Sequence, residues 1–565
     1  MLKDNILKYA LQNAVKFDGK ANPGAVIGKI IQENPDLKEV IKDIQKDVLA
    51  IVKEVNFMKP EEQLKKLQKL APELLEEKKH EKREGLKEWK GAEIGKFVTR
   101  FAPSPSGPMH IGHAYVLGII SEYARMYDGK LILRIEDTNP ENIDPIAYAQ
   151  LPKDGNWLTN NRIDEVIIQS DRMHTYYKYA EELLKKGHAY ICTCSSTEWH
   201  DLMIKMIPCH CRDLDPKEQL KRWEKMLDKH GYKEGEAVLR IKTNLHDKNP
   251  AMRDWPAARI NESEHPRQGK KYRVWPLMNL AVVVDDIELG MTHIVRAKDH
   301  LDNAKRQEWI YKFFNKPIPD SLFTGRINFK DLEISCSKTK EKILAGEFTG
   351  WDDIRIPFLL AMRRRGYRPE AFIKYAVDVG ATMNDKTFTK EDYFTAINNF
   401  NKEIIDPIAN RYFFVEHPKE IFIKNAPKQS VELDLHPDNK KGGREFKVHE
   451  KFWISEEDYY NLNDGRLYRL MDCLNFKKKG DEFIFESLEY EKYKAKGEHI
   501  IHWLPVSDDL INVEVLMDNH STRSGFGEHG LNKLKEGDIV QLERCCFCRL
   551  DKKEKDKLFF WFTHR

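Results

Sequence analysis

No apolar run in the 565 residues approaches the roughly 20 that a bilayer span needs. The first stretch, MLKDNILKYALQNAVKF, scatters charges where a secretory leader would hold a continuous apolar segment. Both absences argue against a membrane-embedded or exported chain, and a cytoplasmic one is expected. An excess of charge is also missing, since 94 basic and 91 acidic side chains leave a net charge of only +3. A polyanionic partner must therefore be met by local clusters such as MRRRG at 362–366. The chain shows no short-period repeat and no low-complexity tract, and it has neither a serine elbow nor an activated cysteine.

What is present points to several domains, since at about 150 residues each the length suggests three to five. Residues 1–95 read as a helical extension with a break at GKANPGA (19–25) and a charged exposed helix and linker before KFVTRFAPSP. A strand at 96–102, a helix from about His110 to Tyr127 and a strand at 130–137 predict a right-handed parallel unit, with a further helix at 172–187. The expected division is an α/β domain in halves at 96–188 and 273–325, interrupted by an α+β insertion at 189–272. YRVWPLMNLAVVVDD and MTHIVRAKDH read as strands of the second half. A helix-rich segment at 326–410 follows, and short strands separated by DNKKGG, LNDG and KKKGDE suggest all-β barrels over 411–565.

Four of the nine cysteines, Cys192, Cys194, Cys209 and Cys211, form two C-x-C pairs with fourteen residues between them. In an intracellular chain such clustering favours a tetrahedral metal site over disulfides, with His210 or His200 able to replace one thiolate. Reduced, unliganded cysteines are the alternative. Cys545, Cys546 and Cys548 read as buried thiols, alternation placing the last two on one strand face.

The stretch RFAPSPSGPMHIGHAYVLG (100–118) joins the first strand to the first helix, where ligands sit in doubly wound sheets. The helix N-terminus there suits a phosphate. His110 and His113 are three residues apart and can donate imidazole N–H groups to it, and Gly112 lets a ring or phosphate approach the backbone. On the residues alone, a metal site or two surface histidines remain open.

PSPSGPMHIGH resembles the first signature of class I aminoacyl-tRNA synthetases. With LRIEDTN (133–139), VIIQSDR, GHAYICTC, RDWPAARI, LGMTHIVRAKDH and GWDD, the chain resembles the glutamyl- and glutaminyl-tRNA synthetases. The N-terminal extension and strand-rich C-terminus are similar to the archaeal type of glutamyl enzyme. This resemblance implies a Rossmann catalytic domain, an acceptor-stem-binding insertion, anticodon-binding barrels, and a tRNA-contacting role for residues 1–95. It implies ATP bound with Mg2+ by Pro103, Ser104, Pro105, Ser106, Gly107, His110, Gly112, His113 and Lys338. Glutamate is expected against Arg100, Ser104, Glu136, Met278 and Arg296, the last pairing with its side-chain carboxylate.

The second signature of these enzymes aligns with EISCSKTKEK, where Glu333, Ile334, Ser335, Cys336 and Ser337 take the five positions and neither usual lysine is in register. Lys338 is expected to supply the cation, supported by Ser335 and Ser337, and with His110, Gly112 and His113 these form the implied catalytic set. Met278 stands where the family usually has a tyrosine, so either a neighbour such as Tyr272 compensates or the pocket is looser than usual. The resemblance further implies a structural Zn2+ on the four clustered cysteines. It also implies a monomer that joins glutamate to tRNA(Glu), with tRNA(Gln) open as a second acceptor. A glutaminyl enzyme and an inactive tRNA-binding paralogue are the alternatives.

Overall fold

The computed structural model describes residues 2–17, 19–33, 41–74 and 85–565. They fall into two compact units, Met1–Glu84 and Gly85–Arg565. Among the described residues, no helix is long and apolar enough to cross a membrane.

The first unit holds helices α1 (Leu2–Lys16), α2 (Pro23–Glu33), α3 (Ile41–Phe57) and α4 (Pro60–Leu70). Apolar residues at helical spacing supply its core, including Ile6, Ala10, Leu11, Ala14, Val48, Val52, Val55 and Leu67. The break expected at 19–25 is real: Gly19 has φ +85°, and Asn22 Oδ1 accepts from the amides of Gly24 and Ala25 as α2 begins. The charged stretch that follows is helical in α4, and its part at 75–84 lies outside the described residues.

In the second unit, β1 (Val98–Phe101), α5 (Ile111–Met126), β2 (Lys130–Ile135), α6 (Ile146–Leu158) and β3 (Glu165–Ile168) build a parallel sheet in the order β1-β2-β3, with Arg100 opposite Ile132. Residues 85–95, expected with the extension, belong here instead. Trp89 donates its amide to the Tyr127 hydroxyl at 2.7 Å and its indole N–H to Asp320 at 2.7 Å, and it meets Phe97 and Tyr123 edge-on.

After α7 (Met173–Lys185) the chain makes β4 (Ala189–Cys192), α8 (Ser196–Ile204), α9 (Pro216–Leu227), β5 (Val238–Ile241), β6 (Pro256–Ile260) and β7 (Val274–Pro276). The four strands form one antiparallel sheet in sequence order, so the insertion's sheet runs past the expected limit at 272.

The run after it corrects a reading. MNLAVVVDDIE, expected as strand, is helix α10 (Met278–Glu288), in which every residue from Asn279 to Asp286 is buried. A segment buried on all sides has no polar face, so its apolar run carries no period that separates strand from helix. Next, β8 (His293–Ala297) pairs in parallel with β9 (Asp320–Thr324) across α11 (Leu301–Phe313). The Thr292 amide donates to the Val98 carbonyl at 3.0 Å, which sets β8 beside β1.

Residues 327–405 carry the expected helices, α12 (Cys336–Leu344), α13 (Leu359–Arg365), α14 (Pro369–Val379) and α15 (Lys390–Ile405), with β10 (Ile327–Phe329) and β11 (Lys386–Phe388) pairing in parallel. Beyond them lie two seven-stranded sheets and a hairpin. The edge strands of one sheet, Arg411–Tyr412 and Phe414–Glu416, are separated by one residue, and those of the other, Gly497–Ile501 and Leu504–Pro505, by two. So short a link between opposite edges requires each sheet to be curled. Cys546 and Cys548 are buried in one of these strands.

Candidate active site

The prolines of the loop after β1 stop any continuation of helix or sheet, and its backbone is fixed from several sides. The Pro103 carbonyl accepts from the Glu136 amide at 3.1 Å and the Pro105 carbonyl from the Asp144 amide at 2.8 Å. Asp154 on α6 accepts from the Met109 amide at 3.1 Å. A Cβ on Gly107 would come within 3.1 Å of Trp351 and 3.3 Å of Cys336, so a larger residue would have to push these side chains back.

A cavity of about 640 Å³ opens at the carboxyl ends of β1, β2 and β8. Among its walls are Arg100, Pro103, Ser104, His110, Gly112, His113, Glu136, Met278 and Arg296, all expected from the sequence. Pro105, Ser106, Gly107, Ser335, Ser337 and Lys338 do not line it.

His110 caps α5 rather than beginning it. Its Nδ1 accepts from the amides of Gly112 at 3.1 Å and His113 at 3.4 Å, while His113 Nδ1 accepts from the His110 amide at 3.2 Å. The two rings stack with centroids 3.8 Å apart. Burial and the neighbouring His113 lower the His110 pKa well below its ordinary value, and burial lowers that of His113 to about 4. Both rings are neutral at pH 7. Since each Nδ1 is an acceptor, each proton sits on Nε2.

The helix N-terminus, expected to suit a phosphate, has already spent its first amides. The Ile111 amide donates to Pro357 O at 3.0 Å, and the next two are taken by His110. The donors left for an anion are the imidazole Nε2–H groups. A Cβ on Gly112 would stand 3.0 Å from the His110 ring, so this glycine first serves the ring pair.

At the other end of the cavity lies a buried charge network. Arg134, wholly buried, donates to Asp286 at 2.6 Å and through Nη2 to Glu136 Oε1 at 3.0 Å. Burial opposes its charge, but Asp286, Glu136 and Asp285 raise its pKa above the ordinary arginine value. Arg100 Nε reaches the same Asp286 oxygen at 3.4 Å, and the Tyr311 hydroxyl donates to the other at 3.3 Å.

Arg296 is differently placed. Its Nη1 donates to Gln307 Oε1 at 2.8 Å, its buried Nε has no partner, and burial together with Arg100 lowers its pKa to about 10. It is a cation facing a cavity without a carboxylate of its own. Met278 lines the cavity as expected, but Tyr272 does not: its ring meets Tyr177 and Trp275 in the core of the insertion. The tyrosine among the cavity walls is Tyr115, whose hydroxyl donates to Gly380 O at 2.9 Å.

Sequence reasoning missed Arg134, Asp286, Gln307 and Asn279. Paired acids closing an apolar run, VVVDD, were the available signal for Asp286, and Arg134 stood inside the quoted LRIEDTN.

The loop at 333–340 touches the cavity through Ile334. Ser335 caps α12, its Oγ accepting from the Lys338 amide at 3.5 Å, and Ser337 and Lys338 are exposed. Lys338 Nζ lies 2.7 Å from Glu333, which also holds Lys342 at 3.1 Å, and Lys340 pairs with Asp144 at 3.0 Å. The structure thus parks Lys338 on the residue that occupies the first signature position.

In the insertion, β4 and the 209–211 turn bring the sulfurs of Cys192, Cys194, Cys209 and Cys211 within 4.8 Å of one another, all four residues buried. Tetrahedral Zn2+ with thiolates at about 2.3 Å needs sulfurs about 3.8 Å apart. The Thr193 amide and Arg222 donate to Cys211 Sγ at 3.4 and 3.3 Å, as a thiolate requires. His210, with ring nitrogens 3.7 Å from Cys194 Sγ and 3.3 Å from Cys211 Sγ, stands beside the set.

The family described as tRNA synthetases class I (E and Q), catalytic domain, matches residues 96–407, and its anticodon-binding domain matches residues 409–491. A glutamate–tRNA ligase of Methanococcus maripaludis is 42% identical over 570 residues, covering 100% of both chains. Those of Methanothermobacter thermautotrophicus, 42% identical, and Pyrococcus furiosus, 44% identical, cover 99% of both chains. The chain belongs to the class I tRNA synthetases of the glutamate and glutamine (E and Q) family.

Proposed function

We propose that the chain is a glutamate–tRNA ligase that activates glutamate with ATP and transfers it to the 3′ end of tRNA(Glu). The observation that carries the amino-acid choice is Arg296, a half-buried guanidinium facing the cavity with a neutral amide as partner and its buried Nε–H unpaired. A carboxylate completes it, whereas a neutral amide leaves an uncompensated charge buried, which is why glutamate is favoured over glutamine. Glu136 takes both Arg134 bonds on Oε1, leaving Oε2 for the substrate ammonium.

The glutamate α-carboxylate attacks the α-phosphate of ATP, pyrophosphate leaves, and the terminal ribose hydroxyl of the tRNA then takes the acyl group and releases AMP. No protein nucleophile is needed. The Nε2–H groups of His110 and His113 offer neutral, pre-aimed donors to phosphate oxygens, so positioning and charge stabilisation supply the rate. Lys338 reaches the leaving pyrophosphate only after parting from Glu333. Mg2+ would be held by the nucleotide's own phosphates and would offset their charge, since Glu136, the carboxylate lining the cavity, is already held by Arg134.

Zn2+ fits the four cysteines and would stiffen the insertion against the acceptor stem. The α/β part is read as a Rossmann domain and the two curled sheets as anticodon-binding barrels, in a cytoplasmic monomer, with residues 1–84 an additional tRNA-contacting unit. Pyrophosphate exchange with glutamate and with glutamine, in the presence of tRNA, tests the reading. Glutamate-dependent exchange is expected, exchange with glutamine alone would overturn it, and charging of purified tRNA(Glu) and tRNA(Gln) defines the acceptors. Metal analysis of the same protein reads the cysteine site.

A further inference from the structure

Arg296 is held by a chain of neutral amides. Gln307 Oε1 accepts from Arg296 at 2.8 Å, and Gln307 Nε2 donates to Asn279 Oδ1 at 3.1 Å. Asn279 Nδ2 donates to Asn303 Oδ1 at 3.2 Å, and that oxygen also accepts from Arg306 Nη1 at 3.0 Å. Arginine can only donate. With an arginine at each end, the orientation of all three amides is dictated: an oxygen must face Arg296 and another must face Arg306. Gln307 and Asn279 are buried, at 3% and 8% exposure, so water does not blur this order.

The carboxylates nearby are committed elsewhere. Asp286 is occupied by Arg134, Arg100 and Tyr311, and Glu136 by Arg134. The partner that fixes Arg296 therefore carries no charge, although an acid of the same length would bind a guanidinium more tightly. Its depressed pKa, caused by burial and Arg100, fits a cation left deliberately short of counter-charge.

We infer that Gln307 is a specificity-positioning residue: it aims the Arg296 fork into the cavity without neutralising it, reserving that charge for the side-chain carboxylate of the substrate. The inference rests on the reading of the protein as a glutamate-activating enzyme. A carboxylate at position 307 would satisfy Arg296 internally and compete with the substrate. An apolar side chain of equal length would leave the fork unbraced but still charged.

The test is tRNA-supported pyrophosphate exchange on the full chain, with glutamate and glutamine varied separately, for the wild type, Q307E and Q307M. For Q307E, the KM for glutamate is expected to rise about tenfold or more, with the KM for ATP within about twofold, and the glutamate-to-glutamine ratio of kcat/KM to fall about tenfold or more. Q307M is expected to raise the glutamate KM less, with a preference for glutamate retained. A folded Q307E, judged by its melting curve, with an unchanged glutamate KM and preference overturns the inference. Should Q307E not fold, Q307M decides, and wild-type values for glutamate KM then overturn it. A wild type that does not activate glutamate would instead defeat the functional reading on which the inference stands.

Discussion

At the amino-acid end of the cavity, Arg134 and Arg100 are buried and meet one oxygen of buried Asp286 at 2.6 and 3.4 Å, whereas the signature loop holds Lys338 and Lys342 on one exposed carboxylate, Glu333. Burying charge is costly, so the first set persists only because each ion is paired and hydrogen-bonded in one geometry. The second set is solvated, and its ion pairs exchange freely for others. The difference separates two tasks. Recognition of a small charged substrate needs groups that cannot move, and assistance to a departing pyrophosphate needs a cation that can.

The largest effect expected from breaking this contrast comes from Arg134→Met, which leaves Asp286 and Glu136 without their main partner. Unfolding in urea should show a loss of about 3–5 kcal/mol, and an unchanged midpoint would mean that the network does not carry the charge ascribed to it.

A smaller effect sharpens the comparison through a buried acid whose hydrogen-bond donors are uncharged. Asp154 is bonded by the Gln150 amide and the Met109 amide, and burial raises its pKa from 3.8 to about 6. The folded state thus holds its proton to higher pH than the unfolded state. The resulting penalty is absent below pH 3.8, grows to about pH 6, and stays at about 3 kcal/mol above that. Asp154→Asn should recover part of it, seen as a higher melting temperature at pH 7.5 and no gain at about pH 3.5. A gain that persists in acid would contradict the assignment.

The smallest effect on stability belongs to the exposed loop. Lys338→Ala and Glu333→Gln should leave the melting temperature where it is, while Lys338→Ala lowers the rate of adenylate formation about 10–100-fold. A drop in melting temperature without loss of rate would make Lys338 a structural ion-pair partner.

Much of this was legible in the residues. The strand–loop–helix around His110, Gly112 and His113 follows from apolar runs punctuated by proline and glycine, and Arg100, Glu136 and Arg296 fall at strand ends where chain direction alone brings them to one edge. The cap role of His110 was not legible, because it depends on which nitrogen of each ring meets which amide. Helix α10 was misread because burial on all sides erases periodicity. Tyr272 was misassigned because nearness to Met278 in sequence places it on the neighbouring sheet rather than in the cavity. The pairing of Arg134 with Asp286 spans 152 positions, and no local pattern announces it.

By itself the sequence determined the chemistry available: two histidines flanking a glycine after a proline-rich loop, arginines at strand ends suited to a carboxylate, four clustered thiols, and no activated nucleophile. Tertiary structure decided how that chemistry is held. It neutralised the histidines by burial and aimed their Nε2 protons, gave Arg296 a neutral partner, and set Lys338 on Glu333. Protonation, tautomer and counter-charge all depend on what the fold brings within a few ångströms, and that distance is a property of the packed chain.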